Sequence, residues 1–361
     1  LRHAAIAGPT TMEILLLDPL VPEALSWLQE RHAVTLAPEL ADDPMALRKQ
    51  VYKTKALVLP SHVVVSREFL DFAPLLKVVA RMQISSENTD LEACAQRNIR
   101  VIQARSATVR SNAEYLLYGL LMLYRRGMVS ALLGRKLAQV RMGRELCGST
   151  VGLLGLAPVA HTLAPMLRGL GVRLLGYDPA VHQGAPIWKK LGIEYIPANE
   201  LLARSDAVSL QMVYASRFKG WINERLLNNC KPGQLWVGLS RSALFEPEAL
   251  ALALTDGRID ACLLDGAHPQ FAGPGTPLHN IPNLHLTPRL GSHTREAKLR
   301  ASWYVAHRIH ETLSPVVGRG QAQASDFSVL DSLDSSRDPE WPPVDSGSQW
   351  AEISRGEERP G

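Results

Sequence analysis

Cysteine is scarce in this 361-residue chain: the four present, Cys94, Cys147, Cys230 and Cys262, lie far apart, with no CxxC spacing and no nearby histidine pair. Such spacing offers no ready zinc ligand set, so we expect free thiols in a reducing cytoplasm and no metal site. Long apolar runs are also missing. No stretch approaches the roughly 20 uninterrupted apolar residues of a membrane helix, and no membrane span is expected. Neither sign of charge dominates: 39 Lys and Arg against 35 Asp and Glu give a formal charge of +4. The basic residues are scattered rather than gathered into a stripe, which argues against a nucleic-acid partner. The opening LRHAAIAGPTT lacks the apolar centre of a signal peptide, and residues 1–11 are read as a flexible N-terminal extension before Met12.

What is present fits a globular chain with a sizeable core: 46% hydrophobic residues and 20% charged ones. The length suggests two domains. From Met12 onward, short apolar runs alternate with segments of helical spacing: EILLLDPL, then VPEALSWLQERH; ALVLP (56–60), then SREFLDFAP; LKVVARM (76–82), then DLEACAQRN; and finally IRVIQA (99–104). This alternation predicts a parallel sheet flanked by helices. NAEYLLYGLLMLYRR, from Asn112, predicts a helix apolar over most of its circumference, to be covered between domains or between subunits. MVSALLGRKLAQVRMG continues in helical or extended form.

A second series follows, with STVGLLGL, VRLLGYDP, IEYI, DAVSLQMV, QLWVGLS and DACLLDG as strands, before a helix over TREAKLRASWYVAHRIHETL (294–313). Beyond Pro315 the composition turns to Ser, Asp, Pro, Gly and Glu with few aliphatics, as expected of a disordered tail over 315–361.

GSTVGLLGLAPVAH (148–161) reads as strand, turn and helix start, where a dinucleotide pyrophosphate meets backbone N–H groups and the positive helix end. In the GxGxxG frame the three positions are Gly155, Ala157 and Ala160, with Pro158 and Val159 between. Gly155 keeps the tight turn. Ala157 places a methyl where backbone should approach phosphate, and Pro158 removes one N–H donor. Asp178, at the end of VRLLGYDP, stands where an acid accepts hydrogen bonds from the adenosine ribose and favours NAD over NADP; the other reading is a turn-forming Asp-Pro pair.

Over nearly all of residues 12–314 the chain resembles the D-isomer-specific 2-hydroxyacid dehydrogenase family. The resemblance rests on blocks in order: DLEACAQRNIRVI, NAEYLLYGLLML, ELCGSTVGLLGLAPVA, GYDP, SDAVSLQM, INERLLNNCKPGQLWVGLSRSALFEPEALALALTDGRIDACLLD and PLHNIPNLHLTPRLGSHTREA. It implies an α/β protein with two doubly wound parallel-sheet, Rossmann-like domains. A flavodoxin-like substrate domain would span 12–108 and 299–314, around an inserted NAD-binding domain over 109–298 that usually forms the homodimer.

It also implies site residues. Cofactor contacts would come from Gly155, Ala157, Pro158, Val159, Ala160, Asp178, Ser240 and Asp265, the last at the nicotinamide amide. Arg241, in VGLSRS against the family's VNxxRG, is carried over as the arginine that polarises and holds a 2-keto acid. The acidic partner, counted along LLDGAHPQ against LDVFExE, becomes Gln270, and the histidine of TPHxG becomes Arg289. A guanidinium does not release a proton near neutral pH, so the family's acid/base step has lost its carrier.

The substrate loop departs as well: RMQISSENTDL (81–91) places Gln83, Ser85, Ser86 and Glu87 where the family has a glycine-rich run. Gln211, Val213 and Gly238 replace residues that are often His, Pro and Asn. His268 and His293 are weighed as substitute proton carriers and held to be less favoured than solvated loop histidines; His279, His285, His307 and His310 read as surface or helix residues.

The expectation is an NAD-binding homologue with weak or no ordinary 2-hydroxyacid oxidoreductase activity, acting noncatalytically or in regulation and able to take a small carboxylate ligand. The alternative is an active oxidoreductase on an unusual, dianionic 2-hydroxy or 2-keto acid gripped by Arg241 and Arg289.

Overall fold

The computed structural model describes residues 13–82, 88–125, 142–239 and 241–314. Two parallel sheets organise them within one compact unit. The first comprises β1 (Ile14–Leu16), β2 (Val34–Leu36), β3 (Ala56–Val58), β4 (Val78–Arg81) and β5 (Arg100–Gln103), in the order β2-β1-β3-β4-β5. This is the flavodoxin-like order, whose direction reverses between β1 and β3. Strands β1, β3 and β4 are buried throughout because both faces are covered. Successive side chains alternate between the faces. Ile14, Leu16, Val58 and Val78 join α1 (Pro22–Gln29) on one side, whereas Leu15, Leu57 and Val79 meet α2 (Pro44–Val51), α3 (Arg67–Asp71) and α4 (Leu91–Gln96) on the other. Side-chain oxygens fix three of these helix starts: Asp43, Ser66 and Asp90 each accept a first-turn backbone N–H.

Strand β2 and helix α2 are absent from the sequence reading above. β2 has three residues and no buried one, and α2 buries only Leu47 and Val51, so neither projects a strong apolar period.

The second sheet comprises β6 (Thr150–Leu154), β7 (Arg173–Tyr177), β8 (Glu194–Tyr195), β9 (Ala207–Leu210), β10 (Gln234–Gly238), β11 (Ile259–Asp265) and β12 (Leu284–Thr287). Read from the β8 edge the order is β8-β7-β6-β9-β10-β11-β12. This is the dinucleotide-fold order with one strand added, and its direction reverses between β6 and β9. One face carries α5 (Val109–Tyr124) and α6 (Pro158–Gly169), packed on Val151, Leu153, Leu235 and Val237. The approach of α5 is close: a Cβ on Gly119 would lie 2.6 Å from Val237 Cγ2. Tyr118 and Leu121 on this helix remain exposed.

Between the later strands run α7 (Pro186–Leu191), α8 (Ala198–Arg204), α9 (Glu224–Leu227) and α10 (Pro247–Thr255); α8 to α10 pack around Trp236 on the other face. Helix α11 (Arg295–Leu313), capped by Thr294, returns to the first sheet, where Ala301, Val305 and Ile309 join the core around Ile14 and Leu16. His285 lies in β12 and is half-buried, so it is neither a surface nor a helix residue, and burial holds its imidazole below the usual range. Most of the extension after α5 falls outside the described residues, as do the substrate-loop residues Gln83, Ser85, Ser86 and Glu87, Ser240, the residues before 13 and the tail after 314.

Candidate functional site

The turn after β6 sits where the second sheet reverses direction. Gly155 has φ +100°, and a Cβ there would lie 2.4 Å from Met212 Cα, so only glycine fits both the backbone and the gap to the β9 loop. Gln211 locks the turn. Its Nε2 donates to the Gly155 carbonyl at 2.6 Å, while its Oε1 accepts from Ser209 Oγ at 2.7 Å. Val213, two residues on, is exposed. Asp178 ends β7 in a buried position and accepts from Leu156 N–H at 2.6 Å on one oxygen and from Ala180 N–H at 2.7 Å on the other. The carboxylate thus shapes the turn, as the Asp-Pro reading expects, and keeps further lone pairs that could accept from hydroxyl donors.

Ala157 leaves the turn in extended backbone, Pro158 opens the twelve-residue α6, and buried Ala160 lets that helix seat against the sheet. At the first helical position the missing N–H of Pro158 costs little, because helix-start N–H groups have no internal partner, and the N–H of Val159 follows in that first turn. A glycine turn at the reversal point, a helix start and a buried acceptor-only carboxylate suit a dinucleotide.

The loops that would face a reacting centre follow β10, β11 and β12. Asp265 is buried at the end of β11, in register with Thr287 on β12. Its carboxylate accepts from Thr287 Oγ1 at 2.6 Å, Leu290 N–H at 2.7 Å and Gly291 N–H at 2.8 Å. Because Thr287 donates to Asp265, Tyr115 on α5 donates to Thr287, at 2.6 Å. Burial pushes the Tyr115 phenol up to about 12, so it stays a donor near neutral pH. Asp265 thus holds the loop that carries Arg289.

Arg289 itself is exposed, with φ 59° and ψ 40°, a left-handed conformation rare for arginine. Its side chain runs across Gly266, where an added Cβ would lie 2.9 Å from Arg289 Cγ, and Gly266 has φ +72°. Gly266 stands at the valine of LDVFExE and Arg289 at the histidine of TPHxG, so two residues in contact both differ from the family patterns. Gly266→Ala is expected to destabilise the fold by about 1 to 3 kcal/mol through backbone strain and displacement of Arg289. An unchanged midpoint in denaturant unfolding would contradict this.

Arg241 follows β10 in extended backbone, with its guanidinium 4.8 Å from the centre of the Tyr214 ring. The 268–270 turn meets the next residue: His268 N–H is 3.5 Å from Ser242 Oγ, and His268 Nδ1 accepts from Gln270 N–H at 3.3 Å. Gln270, His268 and His293 are exposed. The structure therefore brings Ser242, the residue after Arg241, to the turn that carries His268 and Gln270, and Asp265 beside Arg289 and Gly266. Three features escaped the sequence reading: the Gln211 lock on Gly155, the Tyr115–Thr287–Asp265 chain, and the role of Gly266. Gln211 and Gly266 do depart from the family pattern, but nothing local names their partners.

Among the described residues no group of three or more His, Cys, Asp or Glu is placed to hold a metal ion, and no helix is long and apolar enough to cross a membrane.

Comparison with known proteins agrees with this geometry. Residues 122–291 match the family description "D-isomer specific 2-hydroxyacid dehydrogenase, NAD binding domain". The chain is 29% identical over 304 residues to (S)-sulfolactate dehydrogenase of Chromohalobacter salexigens, covering 83% of this chain and 98% of that protein. It is 31% identical to D-3-phosphoglycerate dehydrogenase of Mycobacterium bovis, again over 83% of this chain but only 57% of that protein's length. Among solved structures, the TT0316 protein of Thermus thermophilus superposes with a TM-score of 0.70 at 27% identity, covering 85% of this chain and all of the other. With the two strand orders and the cofactor turn, these matches place the chain in the D-isomer-specific 2-hydroxyacid dehydrogenase family, with NAD as its cofactor.

Proposed function

We propose that this chain binds NAD without carrying out ordinary 2-hydroxyacid oxidoreduction, and that it acts as a noncatalytic or regulatory homologue. The observation that carries this reading is Arg289, set in left-handed backbone over Gly266 at the family's histidine position, with Gln270 in place of the supporting carboxylate. A bound nicotinamide supplies or accepts a hydride, but reducing a keto group also requires a proton at its oxygen. Arg241 and Arg289 can hold a carboxylate or polarise a carbonyl, and neither releases that proton near neutral pH. A small carboxylate is therefore proposed as a ligand rather than as a substrate. Exposed Tyr118 and Leu121 on α5 support a homodimer through this lobe, and four free cysteines support a cytoplasmic setting.

The test is NADH oxidation with glyoxylate, pyruvate and hydroxypyruvate, where no rate above the protein-free control is expected. Turnover that disappears in Arg241→Ala would overturn the proposal. A second reading, an oxidoreductase acting on a dianionic acid, draws support from two arginines on the loops after β10 and β12, either side of β11, and from relatives named for sulfolactate and phosphoglycerate. In that case His268 is the candidate proton carrier, and His268→Ala should abolish turnover of a doubly anionic keto acid.

A further inference from the structure

On the outer face of the first sheet, far along the chain from the loops above, two histidines point at each other. His32 Nε2 and His310 Nδ1 are 2.9 Å apart, and the ring centroids are 5.2 Å apart. That centroid separation is the N···N distance plus one ring radius on each side, so the two nitrogens face along one line, as in a hydrogen bond and not as joint ligands of an ion. The other nitrogen of His32 meets Glu13 Oε2 at 3.0 Å, and Ser314 Oγ lies beside the edge of the His310 ring, 3.2 Å from Nδ1 and 3.4 Å from Nε2. The His32 side chain is only 6% exposed.

This arrangement fixes the tautomers. The Glu13 carboxylate only accepts, so His32 donates to it through Nδ1 and presents a lone pair on Nε2. His310 must then donate through Nδ1, which leaves Nε2 as its acceptor nitrogen, with the Ser314 hydroxyl at the ring edge. One extra proton can be held by reversing the central bond, with the charge on His32 beside Glu13. A second proton places N–H against N–H, and the bond is lost to repulsion.

We propose that Glu13, His32, His310 and Ser314 form a proton-gated clasp that holds the last turn of α11 to the start of the first sheet and opens on acidification. The surroundings favour opening in acid. Burial, then the positive neighbours His32, Arg31 and His307, hold the His310 imidazole below the usual range, with Glu311 opposing them. Burial raises the Glu13 carboxyl, but hydrogen bonds from His32 and Lys55 outweigh it and leave the group lowered. From α1, Trp27 covers the cluster, 4.4 Å from the His307 ring and 5.3 Å from the His310 ring, with Arg31 4.3 Å above Trp27; Arg308, beyond, pairs with Glu311. Both depressed groups have the same sign of linkage. Their stabilisation is present above the ordinary histidine and carboxylate values and is lost as pH falls towards the depressed ones.

Hydrogen exchange of the His310–Ser314 amides in the full chain, corrected for intrinsic rates, tests the clasp. Protection should fall about ten-fold or more between about pH 7 and about pH 5. His310→Gln should abolish that pH dependence whatever its absolute level of protection, whereas His307→Gln, which removes one positive neighbour but leaves the His32–His310 bond in place, should retain it. Protection that does not change with pH in the parent chain, or an equal fall in His310→Gln, would overturn the proposal.

Discussion

Arg289→His combined with Gln270→Glu is expected to raise NADH-dependent reduction of a small 2-keto acid about a hundred-fold or more, the range that positioned acid/base assistance supplies. The loop is ready to receive the histidine. Asp265 binds the N–H groups of Leu290 and Gly291, and Thr287 and Tyr115 hold Asp265 from behind, so the backbone at 289 is fixed independently of its side chain. Gln270 lies on a short turn capped by His268, at the position where the family pattern places the supporting carboxylate. Arg289→His alone should gain less, because the ring lacks the carboxylate that orients it and raises its basicity. A double variant that binds NADH and gains nothing would show that Arg289 and Gln270 do not account for the proposed lack of turnover.

Arg81→Met is expected to lose about 2 to 4 kcal/mol of folding stability, from buried acceptors left without donors. Arg81 ends β4 with no exposed surface. Its guanidinium donates to the carbonyls of Pro60 at 2.6 Å, Val63 at 2.7 Å and Asn88 at 2.8 Å, and to Thr89 Oγ1 at 3.0 Å. One side chain therefore roots the loops after β3 and β4, which border the carboxyl edge of the first sheet. Burial lowers the guanidinium to about 10, so it remains charged near neutral pH. Arg81→Lys should not rescue, because a single ammonium cannot span acceptors arranged around a planar fork. Denaturant unfolding measures the loss; a change within about 0.5 kcal/mol, the usual range for surface substitutions, would contradict the account.

These two arginines mark what the sequence discloses and what it withholds. Alternation of apolar strands with helical segments was enough to read two doubly wound sheets, because β4, β6, β9 and β10 are short apolar runs. The ordered motif blocks located Gly155, Asp178, Asp265 and Arg289 by position. Partners are another matter. Gln211 and Gly155 are 56 residues apart, Tyr115 and Thr287 are 172 apart, and His32 and His310 are 278 apart, so only the folded chain joins them. Arg81 follows the apolar run of β4, but its complete burial contradicts the ordinary preference of arginine for the surface. Gly266 has meaning only once the Arg289 side chain is seen to cross it.

The proposed function has two halves: NAD binds, and hydride transfer to an ordinary 2-keto acid does not proceed. Following the fluorescence of bound NADH after mixing the complex with glyoxylate, pyruvate or hydroxypyruvate tests both halves at once. The expected result is a bound-cofactor signal that forms and then stays constant. A signal that forms and decays on addition of the keto acid, and holds steady in Arg241→Ala, would contradict it.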